Sequence, residues 1–405
     1  MKTKWLTKKL GEICDFQNGL WTGKKPPYKK VQVLRNTNFK NNDGTLNYDD
    51  VAEIEVEEKQ LLKRLLQPGD IILERSGGGP TQPVGRVAFF EKAEEFSFSN
   101  FTSRVRVLDI DKLYPKFLHW FLILQYVSGK TENLQKQTTG IRNLIFAEYK
   151  EIEIPLPPLD EQKRIVKVLE KKLGKVKAAI SLRQDAIADT EKILSAKLSE
   201  IFTEGKEEYF GIYLDKLATL VRGPFGGSLT KQMFVDKGYA VYEQGNVIGD
   251  QTSEFRYFID DEKYREMERF AVLEGDILMS CSGTIGKFTY IKDNYVEGII
   301  NQALLKITPN LEKITRDYLQ YALIVYLNNS TGHIKGGAIK NIVAVKELKK
   351  IRVPVPDLKT QEKIVKELDE LSARVASLRA LQKQQLADLK SLERAYLHEA
   401  FSGEL

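Results

Sequence analysis

A long internal repeat constrains this chain more than any other feature, because it requires the fold to be built twice. Lys9-Leu10-Gly11-Glu12-Ile13 matches Lys216-Leu217-Ala218-Thr219-Leu220, and Val33-Leu34-Arg35-Asn36-Thr37-Asn38 aligns with Val241-Tyr242-Glu243-Gln244-Gly245-Asn246 once one residue is gapped. Gly69-Asp70-Ile71-Ile72-Leu73 pairs with Gly275-Asp276-Ile277-Leu278-Met279, and a Ser-Gly step follows each, at Ser76-Gly77 and Ser282-Gly283. Lys116-Phe117-Leu118 then matches Asp317-Tyr318-Leu319, and Ile141-Arg142-Asn143-Leu144 matches Ile339-Lys340-Asn341-Ile342. The landmarks keep one order, and with 405 residues in all each half is long enough for a core of its own.

The repeat ends on its strongest match. Ile154-Pro155-Leu156-Pro157-Pro158-Leu159-Asp160-Glu161-Gln162 corresponds to Val353-Pro354-Val355-Pro356-Asp357-Leu358-Lys359-Thr360-Gln361. Prolines close an extended stretch and open a helix, so long helices are predicted to begin near residues 160 and 359. Asp160 is the expected N-cap of the first, and Asp357 or Thr360 of the second, because a short side-chain oxygen binds the free N–H groups of a first turn.

Apolar residues then recur at sevens, the period of a coiled-coil seam. The first run is Val166, Leu173, Ile180, Ile187, Leu194 and Ile201, with Leu169 and Val176 on the same face; the second is Ile364, Leu371, Leu378 and Leu392, with Gln385 in the gap and Leu368, Val375, Leu389 and Tyr396 alongside. Gly174 weakens the first helix by about 1 kcal/mol relative to Ala without ending it. Helices of this length cannot bury such a stripe against one small domain, so each is the other's most economical partner. The expected architecture is α/β (α+β): two mixed α/β domains separated by two long antiparallel coiled-coil helices, with pseudo-twofold internal symmetry. A homodimeric coiled coil is the ordinary alternative. Short strands are expected at residues 31–34, 70–73, 84–90 and 103–108, with a helix over 115–128. In the last strand Arg104 and Arg106 alternate with valines and fall on one face, solvated or turned to a partner.

Composition narrows the function classes. No apolar run approaches the roughly 20 residues of a membrane span, and the basic N-terminus lacks the apolar region of an export signal. Cys14 and Cys281 are far apart and form no Cys-x-x-Cys pair, so a reducing cytoplasm is expected and a zinc site is not. His119, His333 and His398 stand alone, and no metal is predicted. The net charge of +6 permits a nucleic-acid partner without requiring one. Local clustering, as at Lys24, Lys25, Lys29 and Lys30, must supply any phosphate-binding surface; a solvated loop explains that cluster equally well.

Catalytic motifs fail on chemistry. Lys25-Pro26-Pro27-Tyr28 resembles the Asn/Asp-Pro-Pro-Tyr motif of amino-methyltransferases, but an ammonium cannot accept the hydrogen bond that motif must accept. Ser76-Gly77-Gly78-Gly79-Pro80-Thr81 lacks the Gly-Lys-Ser/Thr ending of a phosphate loop, and a turn is expected there. Cys281 has no patterned base beside it. No catalytic residue is predicted.

The two diverged halves, each closed by a Pro-x-Pro lead-in to a long helix through Gln162 or Gln361, and the ending Ala400-Phe401-Ser402-Gly403-Glu404-Leu405 together resemble the type I restriction-modification specificity subunit over the whole chain. The second copy departs from the first in having Lys359-Thr360 where the first has Asp160-Glu161. The resemblance implies target recognition domain 1 over residues 1–155, a conserved helical region over 156–205, target recognition domain 2 over 206–354 and a second helical region over 355–405. It implies that each recognition domain reads one half of a bipartite, asymmetric site in double-stranded DNA. The helices would space the domains and dock two methyltransferase subunits, and restriction/translocase subunits would join through the complex. S-adenosylmethionine, ATP and Mg would belong to those partners, with no cofactor in this chain. A non-enzymatic coiled-coil adaptor without sequence-specific DNA binding is the alternative, separable by salt-dependent, sequence-selective binding. Arg reads guanine, Asn or Gln reads adenine, and Lys holds phosphate. The candidate DNA contacts are therefore Lys24, Arg35, Asn36, Asn38, Arg75 and Arg142 in the first half, and Arg222, Gln244, Asn246, Thr284 and Lys340 in the second. The expected seam is Val166, Leu169, Leu173, Val176, Ile180, Ile187 and Leu194 against Ile364, Leu368, Leu371, Val375, Leu378, Leu389 and Leu392.

Overall fold

The computed structural model describes residues 5–40, 43–79, 82–138, 140–204, 211–331 and 345–405. The chain divides into two units, one formed by Met1–Gln184 with Lys383–Leu405 and the other by Asp185–Gln382. The long helices are therefore not a separate body: each runs from one unit into the other. No helix among the described residues is long and apolar enough to cross a membrane.

The repeat in sequence is a repeat in topology. In the first unit the strand Thr102–Val107 lies between Cys14–Asn18 and Ile71–Glu74, and Val87–Phe89 follows on the outer side; all pairings are antiparallel. In the second unit Leu304–Pro309 lies between Ala218–Arg222 and Ile277–Ser280, with Phe288–Tyr290 beyond, in the same order. Each unit adds a small mixed sheet. Tyr28–Leu34 pairs with Ala52–Glu57 and, in parallel, with Phe96–Phe98; Tyr239–Tyr242 pairs with Phe258–Ile259 and, in parallel, with Gly298–Ile300. Leu6–Lys9 pairs with Glu153–Leu156, and Gly211–Tyr213 with Arg352–Pro354.

The expected strands lie within two or three residues of the observed Tyr28–Leu34, Ile71–Glu74, Val87–Phe89 and Thr102–Val107, and the expected helix is Pro115–Val127. Three local expectations are corrected. The turn expected over residues 76–81 is a short strand in its first half, Ser76–Gly78, which pairs with Ile141–Leu144, while Gln82 N donates to Gly79 O at 3.2 Å and residues 80 and 81 lie outside the described residues; a Cβ on Gly78 would come within 2.5 Å of the Gln82 carbonyl oxygen. Arg104 and Arg106 are not a solvated row, because Arg104 pairs with Asp15 and Arg106 grips buried Asp70 through two bonds of 2.6 and 2.7 Å. Asp160 is not a cap but sits inside the first turn of the helix Leu159–Ser199, whereas Asp357 does cap Leu358–Ser402 by accepting from Thr360 N at 3.1 Å.

Within each unit the two long helices run antiparallel and join the core. In the first, Ile165, Val166, Leu169 and Leu173 share a cluster with Leu397 and Ala400, Lys172 pairs with Glu399 at 3.2 Å, and the Phe401 ring lies 5.0 Å from that of Phe117. In the second, Leu198, Phe202 and Leu368 share a cluster, Arg379 pairs with Glu191 at 2.6 Å, and Phe202 lies 5.0 Å from Tyr318. Phe117 and Tyr318 are matched positions of the repeat.

Of the remaining seam candidates, Val176 and Val375 are buried and Ile180, Ile187, Leu194, Ile364, Leu371 and Leu389 are partly buried. Leu378 and Leu392 are exposed, a correction to a strict seven-residue seam. The period drifts because an α-helix turns every 3.6 residues rather than 3.5. The polar layer is Gln382 rather than Gln385: Gln382 is buried and donates to Thr190 Oγ1 at 3.0 Å.

Candidate nucleic-acid interface

The aligned segments 33–38 and 241–246 fold into the same device. In each, the strand gives way to a short helical turn whose asparagine reaches back: Asn38 Oδ1 accepts from Arg35 N at 2.9 Å, and Asn246 Oδ1 accepts from Glu243 N at 2.8 Å. Each amide then donates to two carbonyls downstream, Asn38 to Asn47 and Asp50, Asn246 to Gln251 and Glu254. With oxygen and both donors used, neither side chain retains the free edge that adenine reading needs. Asn38 and Asn246 are thus scaffold, correcting their place among base contacts.

The neighbouring matched pair carries the variation. Asn36 Nδ2 donates to Ser76 O at 2.7 Å, and Gln244 Nε2 donates to Thr284 O at 3.3 Å, so each amide is tethered to the segment that follows the Gly-Asp strand. In the first unit Ser76 Oγ donates to Asn143 Oδ1 at 2.6 Å, and Arg142 lies on the adjoining strand. Arg75 Nη1 donates to Asn18 Oδ1 at 2.7 Å, with its guanidinium over the Phe146 ring at 5.5 Å. Asn36, Arg75 and Arg142 are thus gathered around Ser76–Gly78. Lys24 is exposed on a separate loop, its backbone N–H bound to Glu57; Arg35 lies 3.9 Å from Asp50. Of the basic cluster, Lys29 and Lys30 are in ion pairs with Glu95 and Glu53.

In the second unit Gln244 and exposed Thr284 are brought together, and Arg222 ends its strand near Cys281, whose thiol it holds down slightly against a larger upward push from burial. Lys340 lies outside the described residues. Sequence reading passed over Asn18, Asn143 and Arg64. Arg64 ties the end of the strand Cys14–Asn18 through bonds from Nε to Asn18 O and Gly19 O at 2.9 and 3.2 Å. Only Asn18 carried a signal, standing immediately before a glycine.

Other chemistry-bearing groups are turned inward. Burial pushes Cys14 up to about 12 and Cys281 up to about 11, which keeps both as protonated thiols. Buried His119 is driven down to about 3 and bonds the Gly44 carbonyl at 3.1 Å. Among the described residues no group of three or more His, Cys, Asp or Glu side chains is placed to hold a metal ion.

Comparison with known proteins agrees with this twofold pattern. The family described as "Type I restriction modification DNA specificity domain" matches residues 2–181 and 229–387. The candidate MjaX specificity subunit of a type I restriction enzyme from Methanocaldococcus jannaschii is 23% identical over 394 residues, covering 90% of this chain and 86% of that protein. The StySPI specificity subunit of Salmonella potsdam is 23% identical over 429 residues, covering 99% and 89%. A chain of a solved type I R-M system, described for its complex assembly and conformational transition, has the same fold with a TM-score of 0.79 at 22% identity, covering 99% of this chain and 98% of that one. With the family matched in both of its halves, this chain belongs to the type I restriction-modification DNA specificity family.

Proposed function

We propose that this chain is the specificity subunit of a type I restriction-modification complex, each unit reading one half of a bipartite, asymmetric DNA site. The observation that carries the reading is the pair Arg35 and Glu243. A common frame, in which Asn38 and Asn246 hold the backbone N–H of each, sets a cation in one unit and a carboxyl group in the other at one step of the repeat. Identical frames with chemically different side chains suit two half-sites of different sequence.

On this reading the chain performs no chemistry. Two methyltransferase subunits dock on the long helices, and restriction subunits join through them. S-adenosylmethionine, ATP and Mg belong to those partners. The four-part division into residues 1–155, 156–205, 206–354 and 355–405 remains part of the proposal, with each helical region serving both units.

The test is co-expression with the neighbouring methyltransferase subunit and mapping of methylated adenines on genomic DNA. A two-part motif is expected, and replacing residues 1–150 with those of another specificity subunit should alter one part only. Methyl transfer by the purified chain alone, or a change in both parts, would overturn the reading.

A further inference from the structure

Two large aromatic side chains stand in solvent at the same step of the repeat, Trp21 at 63% and Phe225 at 91% exposure. Each lies two residues beyond a glycine that ends a matched strand, Gly19 after Cys14–Asn18 and Gly223 after Ala218–Arg222. At both glycines a Cβ would come within 1.8 Å of a carbonyl oxygen, that of Ser99 or of Asn301. Their amides are held alike, Gly19 N donating to Thr102 O at 3.1 Å and Gly223 N to Leu304 O at 3.0 Å. The next residue is buried in both, Leu20 and Pro224. Pinned glycine, buried anchor and exposed ring therefore form one device made twice.

A single exposed apolar side chain needs no explanation. The same one kept at the same step of two diverged halves does, and its surroundings indicate what covers it. Lys24 and Lys25 follow Trp21 on its own loop, and Arg75 is bonded to Asn18, three residues before it; Arg222 precedes Phe225 by three residues. Cations a few residues from a bare ring suit a polyanion that also offers apolar contacts at its base edges and base steps, which is the chemistry of duplex nucleic acid. An apolar protein surface would leave those cations desolvated and unpaired.

We infer that Trp21 and Phe225 are base-contacting residues, one per unit, each packing its ring against the base edges or into a base step of its own half-site while nearby cations hold phosphate. The inference rests on the DNA-specificity reading and adds the contact residues. It predicts a part of the binding energy that is independent of salt, because an aromatic contact releases no counterions.

The test uses the chain assembled with its methyltransferase subunit and a duplex carrying the mapped site, titrated by fluorescence anisotropy at several salt concentrations. Trp21→Ala and Phe225→Ala should each weaken binding about ten-fold with the slope of log K against log salt unchanged. Trp21→Phe and Phe225→Trp should restore most of the loss, and Lys24→Ala should flatten the slope instead. Alanine variants that bind within about two-fold of wild type, or whose loss comes with a flattened slope, overturn the inference and leave the DNA-specificity reading intact. Loss of methyltransferase assembly with DNA affinity unchanged would assign the rings to a protein partner and also overturn it. A wild-type complex without sequence-selective binding overturns both.

Discussion

Gln162 and Gln361 make the same three hydrogen bonds. Gln162 Oε1 accepts from Tyr114 N at 2.8 Å while Nε2 donates to Lys112 O and Pro157 O, both at 2.9 Å. Gln361 Oε1 accepts from Thr315 N at 2.8 Å while Nε2 donates to Lys313 O at 3.0 Å and Pro356 O at 2.8 Å. Both side chains are fully buried. Each glutamine thus fastens the start of a long helix to the start of the shorter helix before it, Pro115–Val127 or Arg316–Thr331.

Gln162→Leu would keep the volume but strip three backbone groups of their partners at a buried site. Each such group costs about 1–3 kcal/mol, so a loss of roughly 3 kcal/mol or more is expected, lowering the thermal midpoint by several degrees. Gln361→Leu should behave alike in the second unit. Calorimetry that finds either variant as stable as wild type would show that water or a shifted backbone replaces the clamp.

Gln382→Leu should have the opposite outcome. Thr190 Oγ1 also donates to Ala186 O at 2.7 Å, so it keeps a partner when Gln382 is removed, and Gln382 Oε1 is itself buried without one. Replacing an incompletely satisfied amide by a similar apolar volume is expected to be neutral or stabilising by about 1 kcal/mol. A clear drop in the denaturation midpoint would contradict this account of the polar layer.

His119 makes the first unit sensitive to acid. Its folded value of about 3 lies below the ordinary 6.5, chiefly through burial, so the unfolded chain takes up a proton that the folded chain refuses. Its contribution is full above pH 6.5 and is lost as pH falls towards 3, by up to about 1.4 kcal/mol per pH unit. Between pH 7 and pH 5, above most carboxylate titration, wild type should lose about 2 kcal/mol that His119→Gln does not lose. Parallel stability curves for the two proteins over that range would refute the assignment.

Cys14 and Cys281 should resist alkylation in the folded chain, because burial both shields the thiols and keeps them protonated. Iodoacetamide at pH 8, followed by mass spectrometry, should label neither until denaturant is added. Rapid native labelling of Cys281 would revive the nucleophile reading.

The sequence by itself determined the double construction, the starts of the two long helices and the matched Gly-Asp, Asn and Gln landmarks. These were legible because they depend on local rules: proline ends a strand, apolar spacing marks a helix face, and a repeated framework needs the same residues twice. Tertiary structure decided what each polar side chain is for. Asn38 and Asn36 look alike as letters, yet one is spent on a turn and a loop while the other reaches the Ser76 strand, and only the partners brought in by folding distinguish them. The seam was blurred by helix geometry: Leu378 and Leu392 match the seven-residue spacing, but a helix that turns every 3.6 residues carries some of those positions off the shared face. The exposed rings of Trp21 and Phe225 were invisible in sequence, because an aromatic residue after a Gly-Leu or Gly-Pro step reads as core until the glycine is seen pressed against a neighbouring strand.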